Sequence, residues 1–299
     1  MIPLEEGFLL LTSRLGNPDR KALTTAQFRN LAARVRSGSI SRENRDLTGS
    51  DLTALGYGPD MAERIVSLLE DAQLLEYYLA KGRRSGCVPV TRAGERYPLA
   101  VRKRLGEDSP GCIWAKGDLE LLDTPCISLV GSRELLSENR RFAREVGCQA
   151  AIQGYTLVSG NARGADKTAQ QACLEAGGSV ICVVADRLAS HRRKDRVLYL
   201  SEDGFDEAFS SQRALSRNRV IHCLGAVTLV AQASLHVGGT WSGTVQNLQH
   251  CWSKVCCFND GSQASLELQQ LGAMLVTMPD LSDYAQLAEG TYSLFDEIQ

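Results

Sequence analysis

CISLVGSRELLSENRRFAREVGCQAAIQGYTLVSGNARGAD, residues 126–166, holds two short apolar runs, 126–130 and 155–158, each ending in a small-residue turn with one arginine. The first turn is Gly131, Ser132, Arg133; the second runs from Ser159 and Gly160 through Arg163 and Gly164 to Asp166. Between the runs lies an amphipathic segment long enough for a crossover helix. Strand, glycine turn, helix, strand, glycine turn is the opening of a Rossmann-like parallel sheet, and both turns fall at carboxyl ends of strands, where such sheets bind ligands.

Working outward, the alternation continues. The spacing predicts a helix over 165–175, a buried strand over 178–185 (GSVICVVA), a helix over 211–224, a strand over 226–231 and a helix over 242–252. A strand over 254–258, a helix over 264–271 and a last strand over 274–278 close the series. Continuous β-branched runs of this kind belong to strands covered on both faces. The polar, basic segment 186–196 reads as a loop on the same rim as Arg133 and Arg163. Upstream, 1–85 reads as a small helical domain with helices near 4–14, 24–36, 59–70 and 71–82. Its segment 52–69 resembles a helix-hairpin-helix element around Gly56, Tyr57 and Gly58. With no Lys or Arg in that turn and Asp60 at the helix start, a plain helix–helix corner is the better reading. The expected architecture is therefore α/β: a small helical N-terminal domain (1–85), a Rossmann-like, mostly parallel sheet flanked by helices (86–280), and a short acidic tail (281–299).

The 299 residues are 43% hydrophobic and 23% charged, the composition of an ordinary globular protein. A formal net charge of -2 gives no overall bias toward nucleic acid, so such binding would need a local basic face. The arginines do bunch: Arg133 to Arg144, 191–196, and Arg213 to Arg219. Ten cysteines follow no export signal and sit mostly inside predicted elements, which suggests buried thiols in a reduced, cytoplasmic protein. Cys251, Cys256 and Cys257 lack paired CxxC knuckles, so no metal is expected. No apolar run is long enough to span a membrane.

A fourth turn, Gly238, Gly239, Thr240, Trp241, Ser242, Gly243, Thr244, leads into a helix. Glycine turns at helix N-termini offer backbone N–H groups and a favourable dipole to anions, and arginine adds a forked charge suited to phosphate. Four turns on one rim point to a phosphate-bearing ligand. GxGxxG is missing at the first turn and GxxxxGK[ST] is missing altogether, which argues against dinucleotide oxidoreductases and P-loop ATPases; no cofactor is expected.

VGSR, SGNARGAD, the strand with its basic loop, SRNRV before AVTLVA, and the GGT turn, together with PVTRAGERYPLAVRKRL and CIWAKGDLELLDTPCISLVGSR upstream, resemble the bacterial DNA-processing protein A (DprA/Smf) family. That family belongs to the set of Rossmann-like folds that includes the lonely-guy nucleotide hydrolases. The resemblance covers nearly the whole chain. It implies a non-enzymatic protein that binds single-stranded DNA along a basic groove, forms a homodimer and helps load a RecA-type recombinase. It also implies that Arg133, Arg163, Arg217 and Arg219, with Asn218 between the last two, face the strand, and that Ser132, Ser159 and Gly160 supply turn contacts. The family's winged-helix-like end is not expected here. GGTWSGTVQN resembles instead the PGGxGTxxE turn of the nucleotide hydrolases, with Asn247 where their glutamate stands beside the ribose. An amide cannot act as acid or base, so nucleotide binding without turnover is the alternative reading.

Overall fold

The structure, a computed structural model, describes residues 2–38 and 47–289. Its strands are β1 (Val88–Thr91), β2 (Cys112–Gly117), β3 (Cys126–Val130), β4 (Thr156–Ser159), β5 (Val180–Val183), β6 (Val197–Ser201), β7 (Val227–Val230), β8 (Lys254–Phe258) and β9 (Met274–Val276). They form one nine-stranded sheet in the order β1-β2-β6-β5-β4-β3-β7-β8-β9. Pairing is parallel from β6 through to β9 and antiparallel at the β1–β2 and β2–β6 edge. The protein is thus α/β with a mostly parallel, Rossmann-like sheet. Chain order reverses between β3 and β7, and ligands of open α/β sheets bind outside the carboxyl ends of strands at such a switch point.

The strand residues alternate between two cores. Ile127 and Leu129 of β3 pack with Phe142, Val146 and Ala169 from the helices Ser137–Ile152 and Ala165–Glu175. Cys126 and Val130 point the other way, toward Val220, Trp241 and Leu268 from the helices Asn218–Leu224, Gly238–His250 and Gln263–Gln270. The side-chain period of two thus gives a sheet covered on both faces, which is why β3, β5 and β7 are apolar or small at every position.

The N-terminal helices Pro3–Thr12, Thr25–Ser37, Gly49–Ala54 and Pro59–Glu70 enclose a core of their own built on Leu11, Leu31, Leu52 and Ile65. Leu9 and Leu10, with Leu75 and Tyr78 of the helix Ala72–Arg84, pack instead into the first sheet core. There Tyr78 stacks on Phe205 at 4.5 Å between ring centroids and meets Trp114 edge-on at 5.3 Å. Burial of large side chains of this kind contributes about 1.5–3 kcal/mol each. The Gly56 turn is a corner: Arg34 donates to the Leu55 carbonyl at 2.8 Å and lies 4.5 Å over the Tyr57 ring.

Several elements differ from the sequence expectation. Val197–Ser201, to which the sequence reading assigns no element, is β6, and it lies parallel to β5. The basic segment therefore leaves the carboxyl end of β5 and returns to the amino end of β6. Arg196 donates to the carbonyls of Gly178 and Leu174 there, away from the rim. The single helix expected over 211–224 breaks at Arg217 into Ser211–Ser216 and Asn218–Leu224, and the helix expected from Ser242 begins at Gly238. Of the stretch read as a tail, Leu281 and Tyr284 are fully buried, and the Tyr284 hydroxyl donates to the Val146 carbonyl at 2.9 Å. Residues 290–299 of that stretch lie outside the described residues.

Candidate nucleic-acid interface

The turns after β3, β4 and β7 meet at the switch point. Gly131, Ser132 and Arg133 form one wall of a cleft of about 430 Å³, Gly238, Gly239 and Thr240 form another, and Asp166 and Arg217 line it between them. The first turn is held in place by its neighbours. The Ser132 N–H donates to the Gln232 carbonyl at 3.0 Å, and Gln232 grips Leu136 N–H (2.9 Å) and the Glu134 carbonyl (3.2 Å). Asn139, buried, donates to the Ala231 carbonyl at 2.8 Å and to Asp260 at 2.7 Å. Asn139 and Gln232 carry no motif signal in the sequence; each acts through contacts far along the chain.

Two glycines are required by close approach. Gly164 has φ +85°, and a Cβ there would lie 2.4 Å from the Ser132 carbonyl oxygen and 2.5 Å from that of Arg133. The second turn thus packs directly on the backbone of the first, and Ala165 N–H donates to the Ser132 carbonyl at 3.1 Å. A Cβ on Gly160 would lie 1.6 Å from Arg217 Nη1, so the guanidinium rests on the bare backbone.

The charges differ in character. Arg133 is exposed, and its side chain makes no hydrogen bond or ion pair among the described residues. Arg163 is exposed and 3.6 Å from Glu134, itself exposed, a pairing worth at most about 1 kcal/mol. Arg217 is half-buried; its Nε has no partner, and burial pulls its pKa below the ordinary arginine value while Asp166 opposes that pull. Asp166, buried, accepts from Ala162 N–H at 3.0 Å. Burial pushes its carboxyl upward, with Arg217 drawing it back. Lys167, exposed, donates to the Asn161 side chain of the second turn. The helix Gly238–His250 begins in the cleft without a side-chain cap, so its first-turn N–H groups and dipole face any anion bound there.

Other expected contacts lie elsewhere. Ser159 is fully buried and accepts from Gln170 at 2.6 Å, beneath the turn rather than on its surface. Arg219 is committed to Glu202 at 3.0 Å and to the Asp108 carbonyl at 3.0 Å. Asn218, by contrast, does line the cleft, where it donates to the Gly239 carbonyl at 3.0 Å and so ties the two helix starts together. Ser242 bonds back to the Gly238 carbonyl at 3.2 Å, and Gly243 and Thr244 are buried behind the cleft. Asn247, expected beside a ribose, is fully buried near the opposite end of its helix. There its Oδ1 accepts from Ser253 N–H at 2.9 Å and its Nδ2 faces His222 and Ser253. Steric order explains it: this helix starts a turn earlier than its motif suggests, which carries position 247 away from the rim.

No helix among the described residues is long and apolar enough to cross a membrane. Cys256 and Cys257 are buried, with thiols pushed by burial to about 11 and about 12.

Residues 89–282 match the family model of DNA recombination-mediator protein A. Among curated proteins, the chain is 31% identical over 183 residues to DNA processing protein DprA of Streptococcus pneumoniae, covering 57% of this chain and 64% of that one. It is 29% identical over 187 residues to protein Smf of Escherichia coli, covering 58% and 50%. The match thus spans between half and two thirds of those relatives. Among solved structures, DprA of S. pneumoniae superposes with a TM-score of 0.71 at 24% identity over 94% of this chain and 97% of that chain. DprA of Helicobacter pylori, whose structure is described by its single-stranded DNA binding mode, gives a TM-score of 0.57 at 22% identity over 67% and 95%. These likenesses establish the shared fold. With a family match across the whole parallel sheet and its glycine turns, the chain belongs to the DNA recombination-mediator protein A (DprA/Smf) family.

Proposed function

We propose that the chain binds the phosphate backbone of single-stranded DNA at the switch-point cleft and acts in DNA uptake, recombination or genome defence. The observation that carries this reading is the convergence on one cleft of the Gly131–Ser132–Arg133 turn, the uncapped start of the helix Gly238–His250, and Arg217. Exposed Arg133, Arg163 and Lys167 extend that positive field along the rim, and a strand bound by such groups releases counterions on binding. Phosphate positioning needs no catalytic group, and a non-enzymatic role fits the burial of Asn247. The single-stranded DNA binding mode by which the H. pylori structure is described points the same way. A homodimer, a RecA-type recombinase as partner, a cytoplasmic location, and the division near residue 85 into a helical and a sheet unit belong to the same proposal.

A labelled single-stranded oligonucleotide titrated at two salt concentrations tests it. Arg133→Ala is expected to weaken binding about tenfold and to flatten the slope of log affinity against log salt by about 0.7, the value for one phosphate contact on a single strand. Arg219→Ala, by contrast, breaks a structural pair and is expected to lower stability while leaving the slope unchanged. Equal binding by wild type, Arg133→Ala and Arg163→Ala would sink the reading.

A cleft of about 430 Å³ also has the size of a small-ligand site. On that ground, binding of a free nucleotide without turnover is the second reading. Nucleoside monophosphates that displace the oligonucleotide at micromolar concentration would favour it.

A further inference from the structure

One face of the helix Ala72–Arg84 takes no part in the core. Tyr77, Lys81 and Arg84 fall at i, i+4 and i+7 and so share a stripe, while Leu75, Tyr78 and Gly82 carry the packing. Tyr77 is 61% exposed. Arg84 is exposed, and its side chain makes no hydrogen bond or ion pair among the described residues. Glu76, exposed, falls on the neighbouring stripe with Arg83 seven residues on. Cations in a last turn complement the helix dipole, but that gives no reason for an exposed aromatic two turns earlier.

Lys81 fixes where the stripe lies. Its Nζ pairs with Asp206 at 2.7 Å, and Asp206 also accepts from the Tyr78 hydroxyl at 2.6 Å. Three residues beyond Asp206, Phe209 lines the switch-point cleft, and three residues span about 11 Å at most. Arg213 holds the segment between them through the carbonyls of Glu207 at 3.1 Å and Ala208 at 2.7 Å. Arg187, exposed, donates to the Asp206 carbonyl at 3.2 Å and so adds a cation beside Lys81. In a chain of net charge -2, Arg187, Lys81 and Arg84 make a local basic strip that starts next to the cleft.

A ligand that leaves the cleft past Arg187 and runs onto this helix meets cations and an exposed aromatic face in turn. Single-stranded nucleic acid has the matching alternation of backbone phosphates and free base faces. A duplex keeps those faces stacked inside, and an acidic peptide has no row of them. We propose that the Tyr77, Lys81 and Arg84 stripe is a second contact surface for single-stranded DNA, carrying the strand from the cleft out over the N-terminal helices. A base stacks on Tyr77 and a phosphate lies at Arg84. The inference rests on the strand-binding reading and gives the helical N-terminal unit a part in it: the stripe lengthens the stretch of strand that one chain covers.

A ladder of oligothymidines of increasing length, titrated by fluorescence anisotropy, separates the two surfaces. Wild-type affinity is expected to rise once as the strand fills the cleft and again as it reaches the stripe. Tyr77→Ala and Arg84→Ala are expected to bind the short strands as wild type does and to lose the second rise, about tenfold for the longest strands. Arg84→Ala should also flatten the salt slope for long strands by about 0.7, whereas Tyr77→Phe should bind every length as wild type does. Both side chains are exposed, and wild-type binding of short strands by the variants reports an intact fold. Unchanged long-strand affinity in either variant, or a loss of the same size at every length, overturns the second surface while the cleft reading stands. Binding of no length by wild type overturns the strand-binding reading, and the stripe with it.

Discussion

Replacing Gly164 with alanine is expected to abolish strand binding and to destabilise the fold by about 3 kcal/mol. Two costs combine. At φ +85° and ψ -122° the backbone of Gly164 lies where a side chain carries strain of about 1–3 kcal/mol. The added Cβ would also stand 2.4 Å from the Ser132 oxygen and 2.5 Å from the Arg133 oxygen, both backbone atoms of a turn held by Gln232 and Asn139. Either the turn moves, taking Arg133 from the cleft, or the helix Ala165–Glu175 loses its start. Overpacking of this kind costs a further 1–3 kcal/mol, roughly. Gly160→Ala separates the two effects. The three atoms nearest its added Cβ all belong to the far end of the Arg217 side chain, which can swing away, so binding should weaken with little change in stability. Urea unfolding and oligonucleotide titration of both variants check the pair; wild-type binding by Gly164→Ala would show that the contact between the two turns is not what positions Arg133.

The contrast between those turns and the rest of the cleft shows where sequence reasoning reaches. β3 and β8 are legible to the residue because each is a short, largely apolar run between polar or proline-bearing turns, and the helix Ala165–Glu175 because it follows a glycine turn and repeats small residues, Ala165, Ala169, Ala172 and Cys173, on its buried face. β6 is not, since its five residues follow a basic loop without a turn signal and become a strand only by pairing with β5 and β2. The same limit governs the arginines. Arg217 and Arg219 belong to one short motif, yet residues two apart on a helix point to different sides. One guanidinium therefore lies on Gly160, whereas the other is spent on Glu202. Ser159 and Asn247 carry polar side chains at positions a motif would call functional, and both face inward because their elements start or pack differently from the pattern.

The buried network around Asn247 carries the other large effect, a loss of stability in mild acid. Ser253 N–H can only donate, so the Asn247 oxygen faces it and the amide nitrogen faces His222 Nδ1 at 3.1 Å. Nδ1 must then accept, and the imidazole proton sits on Nε2. Protonation would set a second N–H against the amide donor inside a fully buried site, and burial, aided by the charge of Arg217, holds the His222 pKa down to about 3. The folded value lies below the ordinary 6.5 of an unfolded chain, so the unfolded state binds more protons between the two. The stabilisation is complete above pH 6.5, roughly, and is lost as pH falls from there toward 3, at about 1.4 kcal/mol per pH unit. Between pH 6.5 and 5, above the range in which most carboxylates titrate, the loss amounts to about 2 kcal/mol. Urea unfolding midpoints measured across that interval should fall steeply in wild type and stay nearly level in His222→Asn, which keeps an acceptor for the Asn247 amide but has no proton to gain. Equal slopes in the two proteins would assign the acid sensitivity to other groups and leave His222 a silent member of the core.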